Sequence, residues 1–272
     1  MNDMTDCNEK NTPFFDRVRK NTPRWAHDII QRWDDITFRL ASDFITHHYW
    51  TSQGSINVFR IVGTDHPQYA GMTWLDFLDR GKRMDINIPL IEKNPIYYTD
   101  PECLHAGMNF ISLDGIHWYV GSDGNHRSCL ARFHYHLEDV GRTQLHHVSL
   151  SLFRIDWVFF HAWRKLHAFL PVLLAQGYQG QLEVNRTTIE REDSPGWKMD
   201  RFQAVATLTL DVGKEHPEIK TFVLNDGQEV LDCLSFLKQQ SSLSSPTWGK
   251  DDRTPEHEKL PWWRRFTGRK GQ

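Results

Sequence analysis

Cysteine is scarce and scattered in this chain. Its four cysteines, Cys7, Cys103, Cys129 and Cys233, form no CxxC pair. That spacing argues against a disulfide framework and a zinc ribbon, and predicts reduced thiols. Long apolar runs are missing too. No stretch reaches the roughly 18 residues expected of a membrane-spanning helix. The longest, Trp157–Leu174, is interrupted by His161, Arg164, Lys165 and His167. The opening MNDMTDCNEKN lacks the apolar segment of a signal peptide. Together these absences predict a cytoplasmic protein with no membrane span. The net charge is only −3, so no global basic excess advertises nucleic acid, and any such contact needs a local patch.

Aromatic residues are plentiful: eleven Trp and sixteen Phe among 272 residues. The chain is long enough for a real core. Residues 1–12 are polar and read as disordered. Thr22-Pro23 reads as an N-cap with proline at the first helical position, opening a helix from Trp25 to about Tyr49. Ile56–Val62 reads as a strand, and Thr73–Arg80 as a helix that stops near Gly81. Ile86–Ile91 reads as a second apolar strand, closed by Glu92-Lys93-Asn94-Pro95. Residues 108–113 and 116–120 pair through an Asp114-Gly115 turn. A helix over Arg127–Val140, a strand over Leu145–Ile155 and a helix over Trp157–Ala175 follow, the last kinked by Pro171 and ended by Gly177. Leu182–Glu190 and Phe202–Val212 alternate as antiparallel strands, Ile219–Leu224 adds one more, and a helix covers Gln228–Lys238.

The densest chemistry lies at Trp118–Phe133, WYVGSDGNHRSCLARF, where an apolar strand meets a helix start through an Asp-Gly turn. A helix start offers unpaired N–H groups and the positive end of the helix dipole, so it attracts anions. Gly124 permits close backbone approach, Arg127 can grip an anion with two parallel donors, and Ser128 can add a third. His126 suits acid–base work near neutral pH. Asp123 can cap the helix, orient His126, or hold a divalent ion against a phosphate. Read without further context, the same residues also make an ordinary capped turn with solvated side chains.

Fifteen histidines raise the question of a metal. On a helix His134 and His136 point about 200° apart, and in a strand neighbouring His146 and His147 face opposite sides. A magnesium ion brought by a nucleotide is the better expectation. The terminal PWWRRFTGRKGQ combines Trp262, Trp263, Arg264 and Arg265, a pattern suited to single-stranded nucleic acid, a membrane surface or a protein groove. Residues 240–272 read as a disordered tail.

A strand, the turn DGNHR and a small-residue helix (Ser128, Cys129, Leu130, Ala131) resemble the ParB/sulfiredoxin superfamily. The upstream IPLIEKNP, Ile88–Pro95, resembles the strand and Asn-Pro exit that precede the motif in many members. Sulfiredoxins carry a catalytic Cys where Asn125 stands here, and partition proteins add a helix-turn-helix. The turn is closest in character to plasmid oncogenic-suppression and fertility-inhibition proteins, which resemble ATP-hydrolysing DNases. The resemblance implies an α+β fold with a ParB/sulfiredoxin-like mixed-sheet core over 51–155. A helical N-terminal extension would occupy 1–50, a helix and β-hairpin addition 156–239, and the tail 240–272. It further implies ATP or another nucleotide and Mg²⁺ as cofactors. Asp123 and His126 would be catalytic, with Gly124, Asn125, Arg127, Ser128 and Asn94 on the phosphates and Asp123 near the metal. DNA and a conjugation or secretion system would be partners. Two alternatives accompany the metal-assisted DNase or ATPase: a nucleotide-gated DNA-binding module without turnover, and a kinase for a small molecule such as an amino acid.

Overall fold

The computed structural model describes residues 12–100, 102, 103, 105, 107–138, 141–213 and 218–243. Of the disorder expected for residues 1–12 and 240–272, the parts at 1–11 and 244–272 lie outside the described residues, as do the nucleic-acid contacts expected at Trp262, Trp263, Arg264 and Arg265. Thr12 is instead an ordered helix cap, and residues 240–242 belong to the helix Gly227–Ser242. The protein is a mixed α+β chain that divides into two compact units. One comprises residues 12–38, 48–154 and 192–199; the other comprises 39–47, 155–191 and 200–243.

The first unit opens with helix α1, Pro13–Lys20, whose cap is Thr12, the hydroxyl accepting the Phe15 N–H. Of the neighbouring pairs Thr12-Pro13 and Thr22-Pro23, the earlier one starts an α-helix. The Thr22 hydroxyl instead closes the end of α1 by donating to the Val18 and Arg19 carbonyls. The long helix expected from Trp25 to Tyr49 does not form. In its place stand a 3-10 turn at Arg24–His27, strand β1 (Gln31–Arg32), a short helix α2 (Asp35–Leu40), a second 3-10 turn at Ser42–Phe44 and a long strand β2 (Ile45–Asn57). The β-branched and aromatic run ITHHYWT favours extended backbone, and Asp34 starts α2 afresh by accepting the Thr37 N–H.

The expected strand Ile56–Val62 is split. The Asn57 side chain accepts the Phe59 N–H and sets a 3-10 turn over Val58–Arg60, after which β3 runs Ile61–Thr64. Helix α3, Trp74–Arg80, matches the expected helix, with Thr73 as its cap and Gly81 at its end. Ile86–Ile91 is a correction. It lies inside helix α4, Met84–Lys93, despite Pro89, and is not a strand. Met84, Ile88 and Ile91 recur at helical spacing and are all buried. A short apolar run carries no decisive period, so its burial settles the matter. The upstream strand of the family resemblance is therefore a helix here.

Strands β4 (Asn109–Ser112) and β5 (Trp118–Val120) form the expected antiparallel pair around Asp114-Gly115. Helix α5, Asn125–Glu138, follows, then β6, Gln144–Ile155. Sheet order in this unit is β1-β3-β5-β4-β6-β2. Pairing is parallel for β1–β3, β3–β5 and β4–β6. Helix α5 packs against α1, α3 and α4, so nearly all its faces are buried. Its Arg132 is inside the core. The guanidinium lies 4.5 Å from the Trp25 ring and 4.2 Å from the Trp74 ring, and donates to the Val58 and Ile61 carbonyls. Aromatic faces and carbonyl oxygens offset the cost of burying that charge.

The second unit contains α6 (Trp157–Ala175), most of β7 (Gln179–Asp193) and of β8 (Lys198–Asp211), β9 (Ile219–Leu224) and α7 (Gly227–Ser242). Its β-strand and helix reading from sequence holds closely. In β8 the alternate residues Ala206, Leu208 and Leu210 are buried, and β9 pairs with β8 antiparallel from Ala206↔Leu224 to Asp211↔Ile219. Pro171 lies inside α6, and Gly177 adopts φ +90° just beyond its end. Among the described residues, no helix is long and apolar enough to cross a membrane.

Candidate functional site

The turn between β5 and α5 is held from three sides. Val120 accepts the Asp65 N–H, Gly121 donates to the Asn109 carbonyl, and Asn109 donates to the Asp123 carbonyl. Gly124 has φ +119°, and a side chain there would meet Met108 at 3.4 Å, so glycine fits this position best. The Gly124 carbonyl accepts the Ser128 N–H at 2.8 Å, the first intrahelical bond. Gly124 is therefore the capping residue, and it has no side chain to offer the first-turn N–H groups. Helices α1, α3, α6 and α7 are capped by Thr12, Thr73, Asp156 and Asp226, each accepting a backbone N–H, whereas α4, which starts after Arg83, also has no side-chain cap bond. The first turn of α5 also carries no acidic residue.

What sits at this bare helix start is the carboxylate of Asp123. One oxygen accepts the Gly124 N–H at 2.6 Å; the other accepts from the Arg127 guanidinium at 2.8 Å. The Asp123 side chain is 66% exposed and that of Arg127 24%. An ion pair this open contributes about 0–1 kcal/mol, so an incoming anion can displace it.

His126 meets different neighbours. Its Nε2 donates to the Lys82 carbonyl and lies 3.4 Å from the Tyr69 hydroxyl, while its ring packs beside Tyr69 and Phe77. Burial pushes its pKa below the ordinary imidazole range, although the Lys82 carbonyl opposes that shift. The ring is therefore neutral at pH 7, with its lone pair on Nδ1. Arg127 and His126 do not share a partner among the described contacts: the guanidinium turns to Asp123, the imidazole to Lys82.

The remaining expected residues fall as follows. Asn125 is buried in the first turn. The Ser128 hydroxyl is fully buried and has no hydrogen-bond partner. Asn94 ends α4 by donating to the Leu90 carbonyl and accepts the Tyr97 N–H. Neither bond reaches the Asp123 turn. Among the described residues, no group of three or more His, Cys, Asp or Glu side chains could hold a metal ion.

Two neighbours escaped sequence reasoning. Gly107, with φ +86°, lies against the ion pair: a side chain there would stand 3.3 Å from the Asp123 carboxylate and 3.7 Å from the Arg127 guanidinium. The second is His105, 1% exposed, whose Nδ1 has no hydrogen-bond partner among the described residues. Strand β6 also breaks its alternation beside this region. Leu145 and Val148 are buried, His146 and His147 between them are half-buried, and His147 has φ +56°. Strict alternation of burial therefore breaks at His146–His147. A glycine before Met108 and a doubled His were the available signals, and neither identifies a site unless the fold is known.

No protein-family model, no curated protein and no solved structure matches this chain.

Proposed function

We propose that the Asp123–Ser128 turn binds a phosphate group and that the protein handles nucleotides or phosphorylated ligands. The observation that carries this reading is the position of the Asp123 carboxylate. It accepts a backbone N–H and a guanidinium together at an otherwise uncapped helix start. A phosphate oxygen pair uses the same donors with more charge. The test is calorimetric titration with ATP and with inorganic pyrophosphate, each with and without Mg²⁺. Binding that Arg127→Met weakens about ten- to a hundredfold supports the reading; no heat with any of them sinks it.

The finer version is a cytoplasmic ParB/sulfiredoxin-like ATPase or DNase acting in plasmid or mobile-element conflict. Support for it comes from the DGNHR turn lying between a strand and a helix. The resemblance loses its upstream strand to α4. In this version Asp123 would hold a nucleotide-borne Mg²⁺, which would neutralise phosphate charge, and His126 would accept a proton through Nδ1. Phosphate release from ATP, measured with and without DNA, decides it. Loss of turnover in His126→Ala with binding retained supports catalysis. Binding without any turnover in the natural chain leaves a nucleotide-gated binding module.

A further inference from the structure

Resting on the phosphate-binding reading above, we propose that His105 forms a buried wall of the anion site and takes up a proton when a phosphate group binds there. His105 is 1% exposed, and its Nδ1 has no hydrogen-bond partner among the described residues. Leaving a buried imidazole nitrogen without a partner carries an uncompensated desolvation cost. Such a group is explained when a ligand supplies the missing bond.

The ring is held in place. Tyr97 meets it edge-on at 4.9 Å, and Tyr98 stacks at 6.0 Å. The His105 carbonyl accepts the Met108 N–H, closing a tight turn. Within that turn Gly107 abuts both Asp123 and Arg127. Gly107, two residues beyond His105, thus lies against the ion pair an anion must open.

The charges around the ring explain why a proton would arrive only with the anion. From α5 comes Arg127, paired with Asp123. From β6 come His146, whose Nδ1 shares a 2.7 Å hydrogen bond with Ser55, and His147 in its left-handed conformation. Tyr97 and Tyr98 face it from the 3-10 turn at Pro95–Tyr98. Burial first, then Arg127, His146 and His147, hold His105 neutral, its pKa pushed down to about 4. The Asp123 carboxylate brings one negative charge, which Arg127 balances. A dianion brings a second. The neutral imidazole then gains a proton from solvent and donates the new N–H to an anion oxygen; no bond to phosphorus forms or breaks.

The test uses sulfate, a phosphate-shaped dianion that does not itself titrate near neutrality. Ring-nitrogen NMR of histidine-labelled full-length protein follows His105 during sulfate addition at neutral pH. Its signal is assigned by backbone correlation and by its absence in His105→Gln. The expected result is a change from the neutral to the imidazolium pattern, in step with a shift of the Arg127 amide. Calorimetry in buffers of different ionisation enthalpy should show about one proton taken up per sulfate, and affinity rising up to tenfold per pH unit on acidification. His105→Gln should remove both. A moving Arg127 amide with His105 still neutral overturns this proposal and leaves the phosphate reading standing. An Arg127 amide that sulfate, ATP and pyrophosphate all fail to move overturns both. Because the ring signal is read on the unaltered chain, poor folding of His105→Gln would not obscure the answer.

Discussion

Helices α5 and α7 start from nearly the same three residue types in different order, and they start in opposite ways. At α7 the run is Asn225-Asp226-Gly227. Asp226 is the cap and accepts the Glu229 N–H, while the Glu229 carboxylate returns to the Asn225 backbone and side chain. That is a closed capping box with an acid in the first turn. At α5 the run is Asp123-Gly124-Asn125, and glycine takes the capping place. The aspartate falls one position early, so it reaches the Gly124 N–H and Arg127 instead of the first-turn amides. Arg127 occupies the helical position that Glu229 occupies in α7. One register step and one change of sign turn a self-satisfied helix start into one open to an anion.

The strongest way to break this contrast is Gly124→Ala. With φ +119° and Met108 at 3.4 Å, it should cost roughly 1–3 kcal/mol in denaturant unfolding and remove anion binding. Binding that survives would show that the turn need not keep its shape. Next, Arg127→Met should weaken ATP or pyrophosphate binding by about ten- to a hundredfold, the worth of one charge-assisted contact. Its stability should stay within about 1 kcal/mol of the natural chain, because the ion pair is open to solvent.

Asp226→Ala sharpens the other side. It should cost about 1 kcal/mol of stability, read from the unfolding midpoint, and leave anion affinity untouched. The smallest effect belongs to Asp123→Asn. Removing the resident carboxylate charge should tighten metal-free sulfate binding several-fold in calorimetry, with a stability change below about 1 kcal/mol. Weaker binding in that variant would mean that Asp123 serves the anion site in some way other than competing for it.

Legibility from sequence followed the locality of the signal. Helix α6 over Trp157–Ala175, strand β9 and the β4–β5 pair were readable because caps, turn residues and period all lie within a few residues of one another. The turn at Asp123–Ser128 was readable for the same reason. The stretch from Trp25 to Tyr49 was not, because its apolar spacing fits a helix while its β-branched and aromatic residues fit the long strand that begins at Ile45. Ile86–Ile91 misled in the opposite direction, since an apolar run of that length reads as strand until Met84, Ile88 and Ile91 are seen to be buried along one helix. His105 and Gly107 were illegible as site residues because their role depends on a neighbour some twenty positions away.

By itself the sequence determined that a strand would hand over to a helix through Asp123-Gly124, and that cationic and imidazole side chains would cluster there. Those outcomes depend on turn chemistry and on the amides at a helix start, both set within one turn of chain. Only the tertiary structure decided where those side chains point. It sent His126 to Lys82 and Arg127 to Asp123, and brought Gly107 up to the ion pair. Such choices depend on packing between segments distant in sequence, and no local pattern encodes which buried surface will close against which.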